Sequence, residues 1–133
     1  MPFMLQSQTK NPSFSGGLLG AQVVQVLELV NYQTNAIANR EVVKTTTGSV
    51  TILAFDEGQS LKEHTAPFDA LVQMLEGEAE ISIAGIPQRL HGGEMILVPA
   101  REPHALKAIS RFKMILTKFR SEARDNQPLN TTR

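Results

Sequence analysis

Three histidines, His64, His91 and His104, are the only imidazoles in the chain, and there is no cysteine. Without thiols there is no disulfide, thiol nucleophile, Fe–S cluster or Cys-ligated zinc. A transition-metal site would therefore have to draw on these imidazoles and on carboxylates. Imidazole suits two chemistries near neutral pH, metal ligation and proton transfer. His91 stands in Leu90-His91-Gly92-Gly93 and reads as a solvated turn residue. His64 and His104 lie forty residues apart, each in a strand context set off by Gly and Pro. Gly58 and Gly77 flank His64, while Gly93 and Pro99 precede His104. This pair is the candidate for chemistry.

The elements that must position the pair are short strands. Ser49–Phe55 alternates Val50, Ile52 and Ala54 with Thr51, Leu53 and Phe55, as a strand covered on both faces does. Asp69–Leu75, Glu78–Ile83, Gly93–Val98, His104–Ile109 and Phe112–Phe119 repeat the pattern. Turn residues separate them: Glu57-Gly58, Glu76-Gly77, Gly85, Pro87, Gly92-Gly93, Pro99 and Pro103. The gaps are too short for the helical crossovers of parallel units, so the fold class is all-β and antiparallel, a sandwich or barrel. A short helix is expected around Val23–Val30, packing apolar residues on the domain. Residues 1–22 read as a flexible lead, 23–120 as the barrel with its N-terminal helix and strand, and 121–133 as a polar tail.

The chain has 133 residues, the size of one domain. Thirteen basic residues balance thirteen acidic ones, which disfavours a general nucleic-acid binder. There is no Trp and one Tyr, a poor supply for stacking single strands. The apolar run Gly16–Val30 is too short to span a membrane and carries Gln22, Gln25 and Glu28. It also makes a poor signal peptide, so the expected location is cytoplasmic.

The spacing of the glycines and histidines resembles the cupin family. Its first motif, Gly, five residues, His, one, His, three or four, Glu, six, Gly, is matched in frame by Gly58, His64, Ala66, Ala70 and Gly77. Its second motif, Gly, five, Pro, one, Gly, two, His, three, Asn, is matched by Gly93, Pro99, Arg101, His104 and Ala108. Fifteen residues separate the motifs, and the resemblance covers roughly residues 45–119. It implies an antiparallel double-sheet jelly-roll barrel and, for small cupins, a homodimer, which would also cover exposed strand edges. It implies three His and one Glu around a divalent metal. Here His64 and His104 alone keep ligand types, while Ala66 and Ala70 stand at the other two ligand positions.

Two imidazoles make a partial metal site, since stable sites use three or four protein groups. Such a site would favour Zn, Ni or Cu over Mn, and Fe would need a carboxylate besides. Glu63, Asp69 and Gln73 sit at odd offsets, on the opposite face by strand alternation. The same parity turns Ala66, Ala70, Val72, Met74, Leu106 and Ala108 inward to line an apolar pocket beside the two histidines. Met74, Met95 and Met114 read as core. Arg101 and Glu102 would lie at the barrel mouth as a solvated loop, with pairing to each other or to an anion as the sharper option. Lys107, Arg111, Lys113 and Lys118 read as a solvated outer face.

The function expected is small-molecule binding with a reduced metal site. A metal-dependent enzyme with substitute ligands (dioxygenase, isomerase or epimerase type), or a metal-free one using His64 and His104 as acid and base, is the alternative. A structural or protein-interaction barrel is a third. Fold alone does not choose among them.

Overall fold

The computed structural model describes residues 20–121. The expected segments 1–22 and 121–133 therefore lie almost wholly outside the described residues. Among the described residues nine strands are formed: β1 (Ile37–Lys44), β2 (Gly48–Phe55), β3 (Ser60–His64), β4 (Phe68–Glu76), β5 (Glu78–Ile83), β6 (Ile86–His91), β7 (Met95–Val98), β8 (His104–Ala108) and β9 (Phe112–Arg120). They make two antiparallel sheets, of order β1-β2-β9-β4-β7 and β3-β8-β5-β6. This is the jelly-roll arrangement that the motif spacing implied.

The strands form where β-branched and aromatic residues alternate, and turns fall where glycine permits positive φ. Gly77, between β4 and β5, has φ of +87°. A Cβ there would clash with the Arg111 carbonyl oxygen, so both conformation and space demand glycine. Pro87, read as a turn residue, instead lies inside β6. That strand is an edge of its sheet, where a missing N–H is tolerated.

Directly opposed residues of antiparallel strands share a face, so the pairing registers define the interior. On the larger sheet Phe55, Phe112, Met74 and Met114 point inward, followed by Leu116 and Val72. On the smaller sheet Ala79, Ile81, Leu106 and Ala108 face them. Phe55 and Phe112 stack with ring centroids 4.5 Å apart. Each such side chain removes roughly 1.5–3 kcal/mol worth of apolar surface from water.

The outer face of the larger sheet has its own apolar cluster, in which Ile52 and Ala54 pack with Val30 and, at the margins, Leu29, Tyr32 and Ile115. The segment that covers it is not the expected helix. Only a three-residue 3-10 turn forms, Val26–Glu28, with no side-chain cap at Gln25. Four valines among Val23–Val30 lower helix propensity, and the segment is tied to the sheet by polar bonds instead. Lys113 Nζ, under that segment, donates to the Leu27 carbonyl oxygen at 2.6 Å. The Tyr32 hydroxyl donates to Glu76 Oε2 at 2.6 Å, with Arg111 and Lys113 over its ring at 4.5 and 5.0 Å. Burial first, then the Glu76 carboxylate, holds the Tyr32 phenol well above its ordinary range. Among the described residues no helix is long and apolar enough to cross a membrane.

Candidate functional site

His64 and His104 are brought together by strand pairing. They are direct partners across β3 and β8, with ring centroids 4.3 Å apart and planes tilted by 59°. Leu61 pairs with Leu106, and an irregularity then shifts the register before His64. The offset from Leu61 to His64 is odd, so a regular strand would send the two to opposite faces. The bulge restores His64 to the inner side, a common use of an extra residue near a functional site.

Each imidazole is fixed by the same local bond. Nδ1 of His64 lies 2.9 Å from the Lys62 carbonyl oxygen, and Nδ1 of His104 lies 2.9 Å from the Glu102 carbonyl oxygen. A carbonyl only accepts, so both Nδ1 atoms carry the proton and donate. In the neutral rings both Nε2 lone pairs are then free to take a proton, a hydrogen bond or a metal. His64 is exposed and His104 half-buried, so the pair sits at the rim of the barrel.

Behind the pair lies a cavity of about 120 Å³. Its lining includes His64, His104 and Leu61 from the smaller sheet's side, with Leu106 and Ile81 beneath them. From the larger sheet come Phe68, Ala70, Val72, Val98, Met114, Leu116 and Lys118. Of the residues expected to line a pocket, Ala70, Val72 and Leu106 do so, whereas Met74 and Ala108 pack deeper in the core. Ala66 is buried but lies in the loop between β3 and β4, where its carbonyl accepts from the Arg101 amide at 2.7 Å. Parity counted through that loop therefore did not carry to Ala66. For size, a dry cavity of about 150 Å³ admits benzene.

The basic residues of the C-terminal strands do not all share the solvated outer face expected of them. Lys107 and Arg111 are exposed, Arg111 pairing with Asp56 at 3.0 Å, but Lys113 is buried under the N-terminal segment. Lys118 points inward. It is the direct partner of Ala70 and lines the cavity, with Nζ 5.0 Å from the centre of the Phe68 ring. The signal was present in the sequence: counting by twos along β9 from buried Phe112 gives Met114, Leu116, Lys118 and Arg120.

The other candidates are placed as follows. Asp69 lies opposite in parity to Ala70, yet it is buried, because its Oδ1 accepts the Ala100 amide at 2.8 Å from the loop that packs over it. Met95, read as core, is exposed on edge strand β7, while Met74 and Met114 are buried. Arg101 and Glu102 are exposed, and no ion pair joins them. Arg101 adopts φ of +70°, the left-handed conformation that suits the glycine of the cupin motif at this position. His91 ends β6 and is exposed, between Glu94 and Glu78 at 3.3 and 3.5 Å.

The donor set fits a resident metal poorly. Among the described residues no group of three or more His, Asp or Glu side chains is gathered as a metal site needs. Ala66 and Ala70 offer no donor, and the cation Lys118 stands directly across from Ala70. A like charge beside a divalent ion opposes its binding.

Two facing antiparallel sheets with a histidine pair at one mouth define a cupin barrel. Residues 47–132 match the model of the AraC-like ligand binding domain. A conserved protein of unknown function from Streptococcus pyogenes is 33% identical, with TM-score 0.74, over 80% of this chain and 93% of that one. A cupin 2 conserved barrel domain protein from Leptotrichia buccalis is 37% identical with TM-score 0.68, over 71% of this chain and 46% of that one. A cupin superfamily protein from Desulfitobacterium hafniense shares the fold at 23% identity and TM-score 0.73. No curated protein matches. The chain belongs to the cupin superfamily, in the family of AraC-like ligand binding domains.

Proposed function

We propose that this cupin binds a small organic molecule at the barrel mouth, with its apolar part in the cavity and a polar group on the Nε2 atoms of His64 and His104. The observation that carries this reading is the matched pair of Nδ1 bonds, which holds both rings with Nε2 unbonded beside an apolar cavity. An apolar pocket with a few oriented polar groups is the usual form of a small-ligand site. The match to a ligand binding domain supports the same class.

A second reading, an enzyme that uses one imidazole as base and the other as acid, draws on the same two bonds. A metal-dependent enzyme draws no support from the donor set. Thermal-shift screening of organic acids, sugars, phenols and amino-acid derivatives tests the binding reading. A ligand at ten times its Kd should add about 1.4 kcal/mol, or several degrees in Tm. The gain should vanish in the His64→Ala/His104→Ala variant. A gain retained in that variant contradicts the proposal. Turnover of a hit would move the protein to the enzyme reading.

A further inference from the structure

The chemical class of that ligand follows from charge placed along the inner face of the larger sheet, and it rests on the binding reading above. Inward positions of β9 run Phe112, Met114, Leu116, Lys118, Arg120, apolar in the core and cationic at the mouth. One cross-strand row extends the cationic end: Lys44 pairs with Ser49, Ser49 with Lys118, and Lys118 with Ala70. The Arg120 amide donates to the Thr47 carbonyl oxygen at 2.9 Å, which ties the end of β9 to the β1–β2 turn.

Lys44, Lys118 and Arg120 thus line one groove of about 390 Å³, with Thr and Ser hydroxyls between them and no carboxylate in its lining. Phe68 and Lys118 line both this groove and the apolar cavity, so the two compartments are contiguous. Among the described residues, none of the three cations has an ion-pair partner. Three like charges in one groove of a chain with no net charge repel one another and attract an anion.

We propose that the protein takes an organic anion whose apolar body fills the cavity and whose carboxylate or phosphate head meets Lys118, with Arg120 and Lys44 around it. The row from Ala70 to Lys118 then has a clear logic. An alanine and a lysine stand side by side where a metal-binding cupin would hold a carboxylate. The site has the sign to receive an acid from the ligand.

Isothermal titration with hexanoate, hexyl phosphate and hexanol tests this on the wild type, Lys118→Met and Lys118→Arg. A charged head on a half-exposed ammonium should gain about tenfold in affinity over the alcohol. That gain should be lost in Lys118→Met, kept in Lys118→Arg, and weakened at high salt because the groove is open. The tighter of the two acids identifies the head group. Lys118→Met keeps the aliphatic stem, and an unchanged Tm shows that it folds. Hexanol binding as tightly as both acids, or Lys118→Met binding an acid as tightly as wild type, overturns the anion proposal alone. Absence of binding by all three probes overturns it together with the cavity reading.

Discussion

At one end of the barrel the inward side chains are Phe55, Phe112, Met74 and Met114; at the other they are His64, His104, Lys118 and Arg120. The same strands supply both sets: β9 contributes Phe112 and Met114 to the first, and Lys118 and Arg120 to the second. In the closed half, buried atoms meet atoms at interior density, and any lost methylene is felt. At the mouth, the side chains hold polar groups toward solvent and toward a small cavity. The contrast separates what stabilises the fold from what is left over for a ligand.

Truncating the closed half should have the largest effect. Phe112→Ala removes a fully buried ring stacked on Phe55 and should cost about 3–5 kcal/mol in urea unfolding, with ligand affinity unchanged wherever the protein remains folded. A cost below about 1 kcal/mol would mean that the stack is not the core's anchor.

The mouth should respond differently. Arg101 holds positive φ, which glycine adopts without strain, so Arg101→Gly should stabilise by up to about 1 kcal/mol. A loss of stability would show that the Arg101 side chain makes contacts that outweigh its backbone strain. Removing the histidines one at a time should shift stability by less than about 0.5 kcal/mol, because both lie at the rim. A cost of several kcal/mol from either would erase the distinction between the two ends.

The smallest effect is expected outside the barrel interior, at Asp56. Its Oδ2 accepts the Asn35 amide at 2.7 Å and its Oδ1 accepts from Arg111 Nε at 3.0 Å. The amide bond chiefly, and Arg111 besides, lowers its pKa below the ordinary 3.8. A folded-state pKa below the unfolded one means stability that is fully present above the unfolded value. That stability is lost as pH falls through the lowered folded value. Asp56→Asn should therefore flatten the stability profile below about pH 4 and leave the neutral range with a small constant loss. A profile identical to wild type in acid would show that Asp56 is not a linked group.

The barrel was legible in the sequence because alternation and glycine spacing are local signals. Glu78–Ile83 was placed to the residue, and Gly58, Gly77 and Gly93 all hold the positive φ that their motif positions require. The covering segment was misread as a helix because its apolar residues fit a helical face. Its cohesion instead comes from Lys113 and Tyr32 bonds made across the fold. The site was partly legible. Spacing singles out His64 and His104, but their contact depends on a bulge that no spacing rule shows. Lys118 was missed although its parity with Phe112 marks it as inward. A run of lysines and arginines reads as solvated surface unless each is counted from a buried neighbour. Ala66 failed for the opposite reason, since parity does not survive the loop between β3 and β4.

The division between the two ends can be measured directly by titrating hexanoate into isotopically labelled protein and following the NMR signals residue by residue. Saturable shifts are expected at His64, Phe68, Ala70, His104 and Lys118, with Phe55, Ala79 and Phe112 unmoved. Shifts centred on the closed end or on the Tyr32 cluster, or no saturable shift at the mouth, would contradict that division.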